Sequence, residues 1–252
     1  MLNIVIPMAG LGSRFVAAGY VEPKPLIPLH GIPMIRWVIE NLKPKEDHRF
    51  IFICRSSAIR DYDLANNLER WAPDCAVVSI HGITEGAACT VLCARSVIDS
   101  DCELMIANSD QYIDANITGY LYAMRHRNLD GQIMTMKASD PKWSFIGISE
   151  DGYVSKVVEK VVISDEATTG IYNFKRGSDF VRAAESMIRE GLRVKGEYYV
   201  APVYNQLIRE GRKIGYFNVG QDGQGMHGLG TPPDLNRFAS LEISKQIAAR
   251  MS

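Results

Sequence analysis

The feature that most constrains this chain is an apolar run that leads directly into a loop of small residues. Residues 2–8 have the composition of a buried strand. The loop that follows consists of Ala9, Gly10, Leu11, Gly12 and Ser13. Arg14 ends the loop, and Lys24 follows between two prolines. Small residues let backbone N–H groups approach a phosphate chain, and two cations would balance its charge. The pattern therefore predicts a nucleoside-triphosphate site.

Length and charge limit the class of protein. The chain has 252 residues, which is enough for one large α/β domain, and its hydrophobic fraction of 46% is ordinary for a globular protein. The net charge of −1 gives no basic footprint for nucleic acid or for an anionic membrane. The longest apolar stretches reach about half of the ~20 residues that a membrane helix needs. We therefore expect neither nucleic acid nor a membrane as a partner.

The N-terminus and the cysteines bear on the compartment. The chain starts with a strand-like segment that lacks the basic flank and cleavage site of a signal peptide. Its five cysteines are odd in number and contain no CxxC pair, which is typical of free thiols in a reducing compartment. We expect a cytoplasmic protein.

Strand-like and helical segments alternate along the chain, which predicts an α/β fold. The predicted strands are 2–8, 50–54, 76–80, 103–107, 132–137, 145–148, 154–159, 167–174 and 213–219. The predicted helices are 34–42, 61–71, 86–98, 117–127, 179–189, 200–209 and 234–251. We expect a single Rossmann-like domain of the GT-A type over residues 1–252, with a mostly parallel central sheet and helices on both faces. The long C-terminal helix has an apolar face that could pack on the core or on a second subunit, so a homo-oligomer is possible.

Several chemically distinctive segments follow predicted strands. In open α/β sheets, ligands bind beyond the carboxyl ends of the strands, so these segments should converge. They are the 9–14 loop, the turn Thr84-Glu85-Gly86-Ala87, the strand end Ser109-Asp110 and the pair Glu159-Lys160. Any one of them would be weak support, but their order along the chain is informative.

In that order, the chain resembles the sugar-phosphate nucleotidyltransferases, also called nucleotide-sugar pyrophosphorylases. The matching runs are Ala9-Gly10-Leu11-Gly12-Ser13-Arg14, Pro23-Lys24-Pro25-Leu26, Gly31-Ile32-Pro33-Met34-Ile35, Glu85-Gly86-Ala87-Ala88, Ser109-Asp110, Val158-Glu159-Lys160, Gly170-Ile171-Tyr172 and Leu229-Gly230-Thr231-Pro232. The first two are specific to the family. Short members that load small phosphorylated metabolites onto CTP are similar, and so are members that activate hexose 1-phosphates.

The resemblance implies that an NTP and a phosphorylated sugar or other small metabolite condense to an NDP-linked product and pyrophosphate, with Mg²⁺ as cofactor. Arg14 would hold the β- and γ-phosphates, and Lys24 would bridge the α-phosphate and the acceptor phosphate. Asp110 would ligate Mg²⁺. The main chain around Gly10 and the turn at 84–88 would face the base and ribose, with CTP favoured and UTP or dTTP possible. The product would serve a surface polysaccharide or a related glycoconjugate.

The resemblance also divides the chain into a nucleotide-binding half, 1–135, and an acceptor-binding half, 136–252. Glu159, Lys160 and Gly170 would face the acceptor, with Lys160 as a candidate for its phosphate. Tyr198 could line the acceptor pocket or pack on the core.

One departure from the family pattern stands out. Many relatives carry a second metal-binding aspartate two residues before the Gly-Thr of the last motif, and here that position is Gly228. Asp222 lies nearby in sequence and could substitute for it. Metal coordination would otherwise depend on Asp110 and the phosphates of the nucleotide.

Two other functions remain open at this point. A glycosyltransferase on a similar fold usually needs two acidic residues one apart at the end of the metal-bearing strand, and Asp110-Gln111-Tyr112 lacks the second acid. A non-catalytic nucleotide-binding regulatory protein would explain the missing acid at Gly228.

Overall fold

The structure is a computed structural model that describes residues 1–251. Its strands are β1 Leu2–Pro7, β2 Pro28–Leu29, β3 Ile32–Pro33, β4 His48–Arg55, β5 Ala76–Ile80, β6 Glu103–Ala107, β7 Gln111–Ile113, β8 Gly131–Lys137, β9 Ser144–Ile148, β10 Val154–Glu159, β11 Glu166–Phe174, β12 Ile214–Asp222 and β13 Gly225–Gly228. No helix in this range is long and apolar enough to cross a membrane.

The α-helices lie between these strands and after them. They are α1 Ser13–Ala17, α2 Met34–Leu42, α3 Ser56–Asp61, α4 Leu64–Trp71, α5 Ala87–Leu92, α6 Arg95–Ile98, α7 Ile117–His126, α8 Gly177–Arg189, α9 Tyr204–Arg209, α10 Pro232–Ser240 and α11 Glu242–Met251. Short 3-10 helices occur at Lys24–Leu26 and Ala201–Val203.

An eleven-stranded sheet forms the centre of the molecule, with the path β5-β4-β1-β6-β11-β8-β12-β13-β7. β5, β4, β1 and β6 run parallel to one another. β11 then runs antiparallel to both β6 and β8, and β9 and β10 attach beside it. The parallel part places the carboxyl ends of β1, β5 and β6 on one edge, where a ligand site is expected.

Alternating side chains of the strands divide the core between the two faces of the sheet. Val5 and Ile53 belong to one buried cluster, which α5, α8 and α9 cover. Ile4 and Phe52 belong to the opposite cluster, under α2, α4 and α7. Successive residues of a strand point to opposite faces, so both faces are apolar and both need a cover of helices. The predicted α/β class with helices on both faces is confirmed.

Several predicted boundaries were wrong. The helix predicted for 234–251 is two helices, because Leu241 adopts an extended conformation with ψ 144° between them. The helices predicted for 61–71, 86–98 and 200–209 also break, at Tyr62–Asp63, at Cys93–Ala94 and at the 3-10 helix before α9. Four short strands, β2, β3, β7 and β13, were not predicted. The apolar faces of α10 and α11 pack on their own chain around Phe15 and Trp37.

The two halves share one sheet. Residue 135 lies inside β8, and β7 from the first half pairs with β13 from the second. The division at 135 is therefore a division of proposed roles within one continuous sheet.

Candidate active site

A first cleft of about 300 Å³ lies at the carboxyl ends of the parallel strands. Of the residues predicted from sequence it is lined by Ala9, Gly10, Gly12, Lys24, Thr84, Gly86, Ala87, Ser109 and Asp110. These residues come from the connection between β1 and β2, the turn after β5 and the end of β6. The structure therefore brings together three segments that are distant in sequence, at the edge where the topology placed them.

The remaining loop residues lie elsewhere. Leu11 is 51% exposed and lies along a neighbouring shallow groove. Ser13 begins α1 and is exposed. Arg14 lines a second cleft and makes no hydrogen bond or ion pair within residues 1–251. The guanidinium is therefore free to bind an anion, although it does not line the same cleft as the loop.

Gly12 allows the loop to pack against Lys24. Its φ of +62° lies in the left-handed region, and a Cβ there would come within 3.0 Å of the Lys24 Cβ. A side chain would therefore strain the backbone and push Lys24 away. No protein atom lies within 4 Å of the place that a Cβ at Gly10 would take, so Gly10 faces open space.

The ammonium group of Lys24 donates a hydrogen bond to Oδ2 of Asp110. Their side chains are 20% and 25% exposed, so the pair is only partly screened by water. Gly230 leaves the room for it, because a Cβ there would lie 2.5 Å from Asp110 Oδ2. The Lys24 ammonium, the Asp110 carboxylate and the space left by the missing side chain of Gly230 are therefore adjacent.

A second cleft of about 450 Å³ adjoins the first, and both are lined by Asn108 and Asp110. The other residues that line it are Arg14, Gln111, Lys142, Trp143, Asp222, Met226, Gly228, Gly230, Thr231 and Asp234. The Lys24–Asp110 pair therefore lies where two cavities meet. Two molecules could approach each other at this point.

Gly170 lies under the junction of the two clefts. Its φ is +89°, and a Cβ would lie 2.1 Å from Asn108 Nδ2 and 2.9 Å from Gln111 Oε1. The glycine thus supports two side-chain amides instead of contacting a ligand with a side chain of its own. The sequence placed Gly170 on the acceptor side, and its position beneath a wall of the second cleft is compatible with that interpretation.

The turn at 84–88 is fixed by the loop at 193–198. This contact was not predicted from the sequence. The backbone N–H of Tyr198 donates to Glu85 O at 2.8 Å, and the N–H of Ala88 donates to Tyr198 O at 3.0 Å. A Cβ at Gly86 would lie 2.5 Å from Tyr198 O, so only glycine permits this approach. The Glu85 carboxylate pairs with Arg193 at 3.0 Å. Glu85 therefore binds the supporting loop.

The Tyr198 ring is buried, with 2% exposure, and lies in the core cluster. Its hydroxyl accepts a hydrogen bond from Arg193 Nε at 3.0 Å. Tyr198 therefore packs on the core, which is one of the two alternatives that the sequence left open. The same loop contributes Glu197 to the wall of the first cleft.

Glu159 and Lys160 line neither cleft. Glu159 is 6% exposed and accepts a hydrogen bond from Ser144 Oγ. Burial raises the pKa of the Glu159 carboxyl above its ordinary value, and the Ser144 hydrogen bond opposes the rise. Lys160 has a φ of +57° and donates to the hydroxyl of Tyr199, and its ammonium lies 4.4 Å from the centre of that ring. Burial works to lower the pKa of Lys160, but the Tyr199 hydrogen bond and the charges of Tyr199, Glu159 and Glu197 together outweigh it, so the pKa lies above its ordinary value.

The region around Gly228 contains other carboxylates. A Cβ at Gly228 would lie 3.8 Å from Oδ2 of Asp234, which accepts a hydrogen bond from Thr231 Oγ1 at 2.6 Å. Asp222 lies 3.2 Å from Arg237 and 3.6 Å from Lys142. Both carboxylates therefore have partners already.

The donor set of the site can be compared with what Mg²⁺ requires. No group of three or more His, Cys, Asp or Glu side chains that could hold a metal occurs in residues 1–251. Mg²⁺ is commonly bound through one or two carboxylates together with phosphate oxygens and water. Asp110, with the open wall at Gly230, fits that arrangement as the single protein carboxylate.

Several residues of the site were not predicted from the sequence. Glu197, Lys142 and Trp143 carry no motif, and only the folded chain brings them to the clefts. Gln111 could have been predicted as a site residue, because it directly follows Asp110. Asp234 could also have been predicted, since Thr231-Pro-Pro-Asp is a helix-start pattern.

A family model and several known proteins match this chain. A family model described as nucleotidyl transferase matches residues 4–217. The bifunctional protein GlmU of Thermotoga maritima is 25% identical over 211 residues, which cover 81% of this chain and 44% of that protein. The chain thus spans less than half the length of that curated relative.

Solved structures are also similar. A nucleoside-diphosphate-sugar pyrophosphorylase from Vibrio cholerae RC9 has a TM-score of 0.78 and 25% identity, with 94% of this chain and 100% of that chain covered. The inositol-1-phosphate CTP transferase from T. maritima has a TM-score of 0.74 at 14% identity, with 99% and 95% covered, and this likeness shows the fold alone.

Proposed function

Because this chain belongs to the nucleotidyl transferase family, we propose that it condenses an NTP with a phosphorylated small molecule and releases pyrophosphate. The observation that carries the proposal is the Lys24–Asp110 pair at the junction of two clefts. The nucleotide occupies the first cleft and the acceptor occupies the second. Their reacting phosphates then meet at the junction.

The first cleft suits a nucleotide because many of its lining residues are Gly, Ala, Ser or Thr, which let a ligand approach the main chain. Gly10 faces open space, and the turn at Thr84–Ala87 is braced from behind by Tyr198. A base and ribose can therefore contact backbone groups that are already fixed. CTP is the favoured nucleotide, with UTP or dTTP as alternatives. Arg14 lines the second cleft, so its proposed contact with the β- and γ-phosphates requires the triphosphate to extend across the junction.

The reaction requires no general base. An ionised oxygen of the acceptor phosphate attacks the α-phosphorus in line and forms the new P–O bond. The bond from the α-phosphorus to the bridging oxygen breaks, and pyrophosphate leaves with its electron pair. Positioning and charge neutralisation supply the catalysis.

Lys24 is the residue that neutralises charge at the α-phosphate, because its ammonium already lies at the junction. When the nucleotide binds, the Lys24 ammonium leaves Asp110 and contacts phosphate oxygens instead. Asp110 would hold Mg²⁺, which when bound supplies positive charge to the phosphate oxygens. Lys160 lines neither cleft and donates to Tyr199, so its proposed contact with the acceptor phosphate requires the ammonium to leave that partner.

The proposed biological role is biosynthetic. The proposed product, made in the cytoplasm, is an activated precursor of a surface polysaccharide or glycoconjugate. The likeness to a nucleoside-diphosphate-sugar pyrophosphorylase supports this proposal.

A pyrophosphate-release assay tests the function. Each NTP is combined with a panel of hexose 1-phosphates, polyol phosphates and amino-alcohol phosphates, with Mg²⁺ present. Release with one pair, lost in Lys24→Ala, is the expected result. Release of free NDP from a nucleotide-sugar would instead indicate a glycosyltransferase. Nucleotide binding without turnover would indicate a regulatory protein.

A further inference from the structure

Two residues that line the second cleft each carry a buried N–H group with no hydrogen-bond partner in residues 1–251. The two groups are Nε2 of Gln111, whose residue is 2% exposed, and Nε1 of Trp143. The other buried and unpaired polar side-chain atoms of the described residues line neither cleft. A buried donor without a partner is uncommon, because it has lost its bond to water and gained none. These two donors therefore point to a ligand.

The Gln111 amide is held in place from two sides. Gln111 lies in β7 and pairs with Gly228 of β13. Its Oε1 lies 2.9 Å from the place a Cβ at Gly170 would take, so the amide rests directly on that glycine. Gln111 also follows Asp110 in sequence. The strand pairing and the close approach to Gly170 therefore fix the position of the amide in the lining of the second cleft.

Trp143 lines the second cleft, and one face of its indole is covered by a cation. Its backbone oxygen accepts a hydrogen bond from the N–H of Lys160 at 3.0 Å. The ammonium of Lys142 lies 4.8 Å from the ring centre, over the face of the indole. A ligand cation would have to displace Lys142 before it could use that face.

We propose that Gln111 and Trp143 are specificity-determining residues that donate hydrogen bonds to oxygen atoms in the non-phosphate part of the acceptor. This inference rests on the proposed function and deepens it. It selects a hydroxyl-rich acceptor, a sugar or polyol phosphate, over an amino-alcohol phosphate. A cationic head group would leave both donors unpaired and would meet an indole face already occupied by a cation.

The test compares Gln111→Met and Trp143→Phe with matched controls in which the same substitutions lie outside both clefts, Gln246→Met and Trp71→Phe. Steady-state kinetics are measured with glucose 1-phosphate, inositol 1-phosphate and phosphocholine. Each site variant should lower kcat/KM for the hydroxyl-rich acceptor on the order of tenfold or more, because one hydrogen bond to substrate is lost. The KM for the nucleotide should stay unchanged.

The urea midpoint distinguishes a specificity role of Gln111 from a structural role, because only a structural role would lower it on substitution. Replacing a donor that has no protein partner removes no hydrogen bond from the folded protein, so the urea midpoint of Gln111→Met should not fall below that of the wild type. A lowered midpoint together with an unchanged acceptor kcat/KM would assign Gln111 a structural role and overturn the inference.

The outcomes separate the inference from the function on which it rests. Pyrophosphate release with phosphocholine as the preferred acceptor keeps the proposed function and overturns the inference. Release with no pair at all removes the proposed function. In that case, calorimetric titration of the wild type and of Gln111→Met with glucose 1-phosphate decides the inference, and equal binding or no binding overturns it.

Discussion

The ammonium group of Lys24 donates a hydrogen bond to the carboxylate of Asp110, although the two residues are 86 positions apart in sequence. The bond joins the segment after β1 to the end of β6, two strands that are direct neighbours in the sheet. A cation and an anion at the meeting point of two clefts form a pair that a phosphate and a metal ion could each replace. This pair is the basis of the proposed chemistry.

Replacement of Lys24 by Ala should lower kcat by a factor of a hundred or more, because one preorganised positive charge at the α-phosphate is lost. The free energy of unfolding should change by no more than about 1 kcal/mol, since the pair is partly exposed. Pyrophosphate release and urea denaturation measure the two effects. Lys45→Ala, at an exposed position, is the control. Near-normal turnover in Lys24→Ala would contradict the role of this residue.

Replacement of Asp110 by Asn should shift the Mg²⁺ dependence of pyrophosphate release to much higher concentrations. An amide keeps the shape of the side chain but removes the negative charge that attracts a hard cation. The measurement is a metal titration at saturating nucleotide. Asp151→Asn, in an exposed turn, should titrate like the wild type. If Asp110→Asn did the same, Asp110 would not be the metal ligand.

Gly170→Ala should destabilise the fold more than Gly152→Ala. Both glycines have a positive φ, +89° and +78°, so both alanines carry a similar backbone strain of about 1–2 kcal/mol. Only at Gly170 would the new Cβ meet a neighbour, Asn108 Nδ2 at 2.1 Å, while nothing lies within 4 Å at Gly152. The clash should add roughly 1–3 kcal/mol. Equal urea midpoints for the two variants would show that the amides over Gly170 move aside freely.

Glu159→Gln should change how stability depends on pH. Burial raises the pKa of Glu159 in the folded state, so the folded protein binds a proton more tightly than the unfolded chain. Stability from this group is then highest at low pH and falls as the pH rises from the unfolded pKa through the folded pKa. The amide does not titrate, and its oxygen can still accept from Ser144.

The difference in unfolding free energy between Glu159→Gln and the wild type should therefore shift in favour of the variant as the pH increases above the unfolded pKa of Glu159. Urea denaturation at a series of pH values between 4 and 7 would measure it. Glu150→Gln, at an exposed position near the same hairpin, serves as the control. A difference that does not vary with pH would mean that burial of Glu159 does not perturb its titration.

Much of the regular structure was predictable because hydrophobic periodicity is local. The strands Ala76–Ile80 and Glu103–Ala107 and the helix Met34–Leu42 have the bounds that their patterns indicate. The helix predicted for 234–251 failed because the apolar spacing continues through Leu241, whose extended backbone interrupts the helix. β7 and β13 were missed because strands of three or four residues are too short for a periodic signal.

The sequence by itself determined which residue types were available for phosphate and metal chemistry, and which strand ends carried them. Only the tertiary structure decided that Arg14 lines the second cleft, that Tyr198 braces the turn after β5, and that Gln111 and Trp143, each with an unpaired buried donor, line one cavity. The reason is that sheet order is a long-range property. β11 lies between β6 and β8, and β13 pairs with β7, through contacts that no local pattern along the chain encodes.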